Sequence, residues 1–235
     1  VGHTVTLNIE RPDPVDPKIK LKVRDVTVLN KEGREVLSHA SFDAYPGEIL
    51  GIAGIAGSGQ KELLEAIAGL QKLETGEVEY TNRKGHIKHL SRMSAEKIRE
   101  IGIRLAFVPE DRLGMGLVAS MGMTDNMMLR SYKQGRGFFS RRKEPHDLAE
   151  RIKKELGVVT PSIDWPVGRM SGGNVQKVLV GREIASSPQV LMVAYPVRGL
   201  DINSSYTIFN LLNEQKEKGA AVIFVGEDLD ALIEL

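Results

Sequence analysis

The chain has 235 residues, 41% of them apolar and 27% charged, enough to bury a core in one large domain or two small ones. Its 32 basic and 31 acidic side chains leave a formal net charge of +1, so no global field draws it to nucleic acid or an anionic membrane. The absence of cysteine excludes disulfides, zinc knuckles and thiol catalysis, and no apolar run approaches the roughly 18–20 residues that span a bilayer, so the sequence reads as a soluble globular protein.

Both ends read as cut. The first residue is Val1 rather than Met, no signal peptide opens the chain, and Pro12, Pro14 and Pro17 mark residues 1–17 as a linker or edge arm. At the other end Asp228 is placed to cap a helix whose pattern stops at Leu235. The expectation is a piece of a longer polypeptide.

Over residues 20–50 apolar and polar positions alternate: Leu21, Val23, Val26 and Val28, then Val36, Phe42 and Ala44, bounded by Asn30–Gly33 and Pro46-Gly47. That pattern predicts short antiparallel strands. Ile49–Ala53, Leu105–Val108, Val190–Val193 and Ala221–Val225 are compact apolar runs that read as strands buried on both faces. They alternate with helical patterns at Gln60–Ala68, Ser94–Ile101, Asn174–Ala185 and Asn203–Lys218, three of them followed by Gly69, Gly102 and Gly219 as stops. Strands and helices in alternation argue for a parallel sheet of α/β class.

The middle of the chain differs. From Arg112 to Trp165 no buried strand is visible, while Leu148, Ile152 and Leu156 fall on one face of a helix opened by Pro145 and closed by Gly157. Met115, Met121, Met123, Met127 and Met128, five of the eight methionines, cluster just before it and read either as core packing or as an adaptable docking surface. The basic stretch Arg130 to Lys154 reads as a solvated helical face, with lipid head-group contact as the lesser alternative. The histidines show no metal-ligand spacing, and His86 and His89 are expected on the surface.

Two turns carry chemistry. Gly54-Ile55-Ala56-Gly57-Ser58-Gly59-Gln60-Lys61 follows a strand and opens a helix, with the G-x-x-x-x-G spacing of a phosphate loop. Glycines let successive N–H groups converge on an anion at a helix N-terminus. Two residues then depart from that motif, because Gln60 and Lys61 stand where Lys and Ser or Thr belong. The segment reads equally as a phosphate cradle and as an unliganded strand-to-helix turn. Met170-Ser171-Gly172-Gly173-Asn174-Val175-Gln176 opens another helix, and alone it reads as an ordinary capping turn. Downstream come Ala194-Tyr195-Pro196-Val197-Arg198-Gly199-Leu200-Asp201 and a strand ending at Gly226-Glu227.

In this order the pieces resemble the nucleotide-binding domain of ABC transporters over essentially the whole chain. The phrases carrying the resemblance are Gly47 to Gly54, Val108-Pro109-Glu110-Asp111-Arg112, Ser171-Gly172-Gly173-Asn174 and Arg198-Gly199-Leu200-Asp201. The chain is most similar to the second of two tandem ATPase domains in bacterial importers of simple sugars and nucleosides. The resemblance implies a P-loop NTPase of ABC-ATPase type, a mostly parallel sheet with an antiparallel β-subdomain and a helical insert. It implies ATPase-core segments at 18–111 and 168–235 around a helical subdomain at 112–167.

The resemblance also implies roles by position. Gly54, Gly57, Ser58, Gly59, Gln60 and Lys61 form the phosphate loop, but without the lysine that neutralises phosphate and the hydroxyl that holds Mg²⁺. Ala194 and Tyr195 stand where the Mg²⁺-associated Asp and the catalytic Glu belong, Glu110 replaces the sensing Gln, and Glu227 replaces the switch His. The position of the family's adenine-stacking aromatic should fall near Asn30, where this sequence has none. The domain's own ATP site is therefore expected to be degenerate, binding ATP weakly and no metal. Ser171, Gly172, Gly173 and Asn174 match the signature turn that closes over a partner domain's ATP, and Asp201 matches the interface loop. The implied partners are an upstream ABC ATPase domain, whose site holds Mg²⁺, transmembrane permease subunits and, indirectly, a solute-binding protein, at the cytoplasmic face of the bacterial membrane. The rival reading is a nucleotide-responsive regulatory module of the same fold without catalysis. DNA-repair and translation ATPases are disfavoured because no coiled-coil insert or basic groove is visible.

Overall fold

In the chain's computed structural model the described residues are 18–30, 32–55, 57–130 and 142–227. They divide into two compact units. The first takes the described residues up to Phe107, Pro188–Tyr195 and those from Leu212 on; the second takes Val108–Ser187 and Pro196–Leu211. The proline arm and the helix expected from Asp228 lie outside the described residues.

Within the first unit, β1 (Leu21–Leu29), β2 (Glu35–Ala44), β4 (Thr75–Thr81) and β5 (Ile87–His89) form an antiparallel sheet in the order β2-β1-β4-β5. The expected β1–β2 hairpin is present. Its turn is held by Asn30, whose Oδ1 accepts from the N–H groups of Glu32 and Arg34. Asn82 does the same for Lys84 and His86 between β4 and β5. Neither β4 nor β5 was read from the sequence, although Val78 and Tyr80 alternate with glutamates and Asn82–Gly85 repeats the Asn30–Gly33 spacing.

The second sheet has the order β3-β8-β7-β6, from β3 (Ile49–Ala53), β8 (Ala221–Gly226), β7 (Val190–Ala194) and β6 (Leu105–Val108). β3 and β7 each pair in parallel with β8. β7 and β8 are buried throughout, as continuous apolar runs require. The expectation that Ile49–Ala53 is buried on both faces is corrected: β3 is the end strand of this order, and its Gly51 and Ala53 are exposed. Helix α1 (Gln60–Ile67) buries Leu63, Leu64 and Ile67 in the core with Val23, Val78, Met192 and Ile223. Each such side chain contributes about 1.5–3 kcal/mol. Helix α2 (Ala95–Glu100) is capped by Ser94.

Among its described residues the second unit has no strand between Arg112 and Trp165. It holds a single π turn at Arg112–Gly116, α3 (Met123–Met128), α4 (Lys143–Glu155), a 3-10 turn at Val167–Arg169, α5 (Gly172–Ile184) and the start of α6 (Ile202–Glu217). α4 begins two residues before Pro145, which sits in the first turn where its missing N–H leaves no intrahelical bond unmade. Gly181 lets α4 approach α5, since a methyl there would lie 3.0 Å from Ile152 and Leu156 side-chain carbons. Asn126 is fully buried and staples the preceding loop: its Oδ1 accepts from Val118 N–H at 2.8 Å, and its Nδ2 donates to the Gly122 carbonyl at 3.0 Å.

The methionine cluster divides: Met123 and Met127 are buried core, whereas Met115 is exposed. The basic stretch is not simply solvated. Arg142 pairs with Asp125 at 2.5 Å, and Arg130 reaches the buried Glu183, which also pairs with Arg182. No helix among the described residues is long and apolar enough to cross a membrane.

Candidate functional site

The glycine loop lies at the carboxyl end of β3, the usual place for a ligand in an open α/β sheet. Ala53 pairs with Gly226, Gly54 N–H donates to the Gly226 carbonyl at 3.2 Å, and Ala194 pairs with Val225. One end of the first unit's sheet therefore carries Gly54, Ala194, Tyr195 and Glu227. Gly59 precedes α1 with φ 87°, and a methyl there would lie 2.4 Å from the Val36 carbonyl oxygen, so both the dihedral and the approach of β2 require glycine.

Inside the loop, polar groups turn toward the protein. Ser58 N–H, expected to face an anion, donates to the Ile55 carbonyl at 3.3 Å. Gln60 is only 6% exposed and folds back on Gly54, where a methyl would fall 1.5 Å from Gln60 Nε2. Its Oε1 is buried without a hydrogen-bond partner among the described residues. Lys61 leans along α1 toward Glu65, 3.8 Å away. Ala194 is fully buried, and Tyr195, 5% exposed, has φ 48°, an unusual backbone angle for an aromatic residue. Mg²⁺ takes a near-octahedral set of oxygens, usually from carboxylates, phosphates and waters. Lys61, Ala194 and a buried tyrosine do not fit that demand. Asn30 holds the β1–β2 turn through its side-chain oxygen.

In the second unit the other glycine turn opens α5. Ser171 caps α5: its Oγ accepts from Asn174 N–H at 3.4 Å and from Asn174 Nδ2 at 2.9 Å. Asn174 Oδ1 in turn accepts from Val159 N–H at 2.9 Å. A methyl on Gly173 would lie 2.5 Å from Ser204 Oγ. Ser204 donates its N–H and its hydroxyl to the two oxygens of Asp201, at 2.9 and 2.7 Å. The hydroxyl bond leads the causes that hold the Asp201 carboxyl below its ordinary range.

Around this turn stands a charged cluster that the sequence phrases contained without revealing. Arg112 Nη2 donates to the Arg198 carbonyl at 2.5 Å, and Arg198 Nη1 donates to Glu110 Oε1 at 2.6 Å. These pairs are 86 and 88 residues apart, beyond any spacing rule. A separate group, Glu77, Glu79 and His89, brings its ligand atoms within 4.8 Å on the β4–β5 hairpin, with Lys22 also 4.0 Å from Glu79.

A glycine loop between a strand and a helix on a parallel sheet, with an antiparallel sheet and a helical unit, defines the P-loop fold of ATP-binding cassettes. The chain belongs to the ABC transporter family, whose model matches residues 37–196. It is 34% identical over 218 residues to the xylose import ATP-binding protein XylG of Moorella thermoacetica, covering 92% of this chain and 42% of that protein. The guanosine import ATP-binding protein NupO of Bacillus subtilis is 32% identical, over 100% of this chain and 45% of its own length. The chain thus spans less than half of these relatives. Among solved structures, a dimeric ABC transporter cassette, MJ0796, superposes with TM-score 0.74 at 23% identity, covering 91% of this chain and 90% of that one. That likeness concerns the fold.

Proposed function

We propose that this chain is the second ATP-binding domain of an importer for simple sugars or nucleosides, with a degenerate site of its own and a working signature turn for its partner's site. The observation that carries the reading is Gln60: a neutral amide lies folded over Gly54 where a phosphate loop needs a cation. Losing one charge-assisted hydrogen bond costs about 1.5–3 kcal/mol, which weakens ATP binding. Losing a general base and its electrostatic partners costs roughly 10²–10⁴ in rate for each. Ala194, Tyr195, Glu110 and Glu227 leave this half without those groups. Ser171, Gly172, Gly173, Asn174 and Asp201 remain suited to close over ATP and Mg²⁺ held by an upstream ABC domain of the same polypeptide.

In this reading residues 18–111 and 168–235 serve as the ATPase core and 112–167 as the helical subdomain. The assembly sits at the cytoplasmic face of the membrane on transmembrane permease subunits, supplied by a solute-binding protein. The names of the relatives, which import xylose and guanosine, support that substrate range.

The test is Ser171→Arg in the protein carrying this domain and its partner. ATPase activity is expected to fall at least about 100-fold, because a bulky cation replaces a hydroxyl donor at the closing face. Stability should fall by only about 1 kcal/mol, the value of a helix cap. Gln60→Lys should change turnover little. Undiminished ATPase in Ser171→Arg would leave the regulatory module as the better account.

A further inference from the structure

The phrase Glu110-Asp111-Arg112 and the loop Arg198–Asp201 are joined by contacts that no motif assigns. Arg112 is half-buried, and burial is what draws its guanidinium below the ordinary arginine range. Among the described residues it faces no carboxylate. Its Nη2 donates to the Arg198 carbonyl, and its Nη1 lies 3.2 Å from the place a methyl on Gly172 would take. Arg198 is tied back to Glu110, and Gly173 sits against the Asp201–Ser204 cap of α6. Three segments, 110–112, 171–173 and 198–204, are thereby connected within one unit. A guanidinium suits this place because its planar fork can donate to the Arg198 carbonyl from one nitrogen while the other lies over the open face of Gly172, whereas an ammonium is a single point charge.

We propose that Arg112 is a positioning residue that fixes the Ser171 turn to the 198–201 loop, with the Glu110–Arg198 pair as the second tie. The proposal rests on the shared-site reading and deepens it: turn and loop reach the partner's nucleotide as one rigid face. With its carboxylate held by Arg198, Glu110 acts as a strut where the family resemblance implies a sensor.

Steady-state ATPase in the protein carrying both domains tests this, with Ser171→Arg measured alongside. Arg112→Gln should lower kcat about 10- to 100-fold, the cost of a misplaced closing group. KM for ATP should stay within about threefold, since the interaction matters on closure rather than on first binding. Arg112→Lys should not rescue. Glu110→Arg combined with Arg198→Glu should regain most of the activity that either change loses alone, which a general loss of folding cannot do. Hydrogen exchange at residues 198–201 should quicken in Arg112→Gln while the melting temperature holds. Wild-type kcat in Arg112→Gln, or a raised KM at unchanged kcat, with Ser171→Arg still inactive, would overturn the clamp and spare the shared-site reading. Wild-type turnover in Ser171→Arg would overturn both.

Discussion

Two turns in this chain open helices with glycines, and their surroundings have diverged. At the start of α1 no side chain caps the helix, Ser58 N–H bonds inside its own loop, and Gln60 covers Gly54. At the start of α5, Ser171 Oγ accepts from the N–H and the Nδ2 of Asn174, and Arg112, Arg198, Glu110 and Asp201 connect the segments around the turn. Both place glycines at the start of a helix, where backbone N–H groups lack intrahelical partners. At the first, Gln60 and the Ser58 N–H turn into the protein; at the second, Ser171 and Gly172 are exposed. The same kind of glycine turn therefore takes different partners according to the side chains packed around it.

The largest expected difference is in turnover. The 235-residue chain by itself should hydrolyse ATP below about 0.01 s⁻¹, far under the usual enzyme range of roughly 1–10³ s⁻¹. A phosphate-release assay at high protein concentration checks this, and a rate near 1 s⁻¹ would erase the contrast between the two turns.

Next in size is a loss of stability confined to the first unit. Gly59→Ala puts a methyl 2.4 Å from the Val36 carbonyl oxygen at φ 87° and should cost about 2–3 kcal/mol in urea denaturation. An unchanged midpoint would mean that β2 does not press on the loop.

The smallest effects are two pH responses of opposite sign. In the second unit, Asp201 has a depressed folded pKa, so its stabilising bonds are complete above its ordinary value of 3.8 and vanish as pH falls through the lower folded value. Amide exchange at Ser204 should quicken in acid, and Asp201→Asn should remove that response. In the first unit, hydrogen bonding to Asp25 raises His39 above its ordinary 6.5, so its contribution is complete below 6.5 and is lost as pH rises through the raised value. Exchange at His39 should quicken on the alkaline side, and His39→Gln should abolish the step.

Much of this was legible in advance because it is local. The helix patterns at 60–68, 94–101 and 203–218 match α1, α2 and α6 to within two residues at either end, since caps and apolar periodicity are written within a turn or two of chain. The buried runs β7 and β8, and both glycine turns, were equally plain. β4 and β5 are weakly signalled because β5 is three exposed residues long and β4 buries only Val78 and Tyr80. Ile49–Ala53 is less buried than its apolar run implies because such a run does not say which faces other layers cover: β6 ends the same sheet and is mostly buried.

The site divides along the same line. Residue identities alone decided which functional groups exist: Gln60 offers a neutral amide, Ala194 a methyl and Tyr195 a phenol in any conformation. Position was another matter. That Gln60 turns inward over Gly54, that Lys61 leans toward Glu65, and that Arg112 and Arg198 meet across more than 80 residues all followed from packing. The reason is physical. Chemical capacity belongs to a side chain wherever it lies, whereas a hydrogen bond requires two groups within about 3 Å, and for residues far apart in sequence only the folded backbone sets that distance.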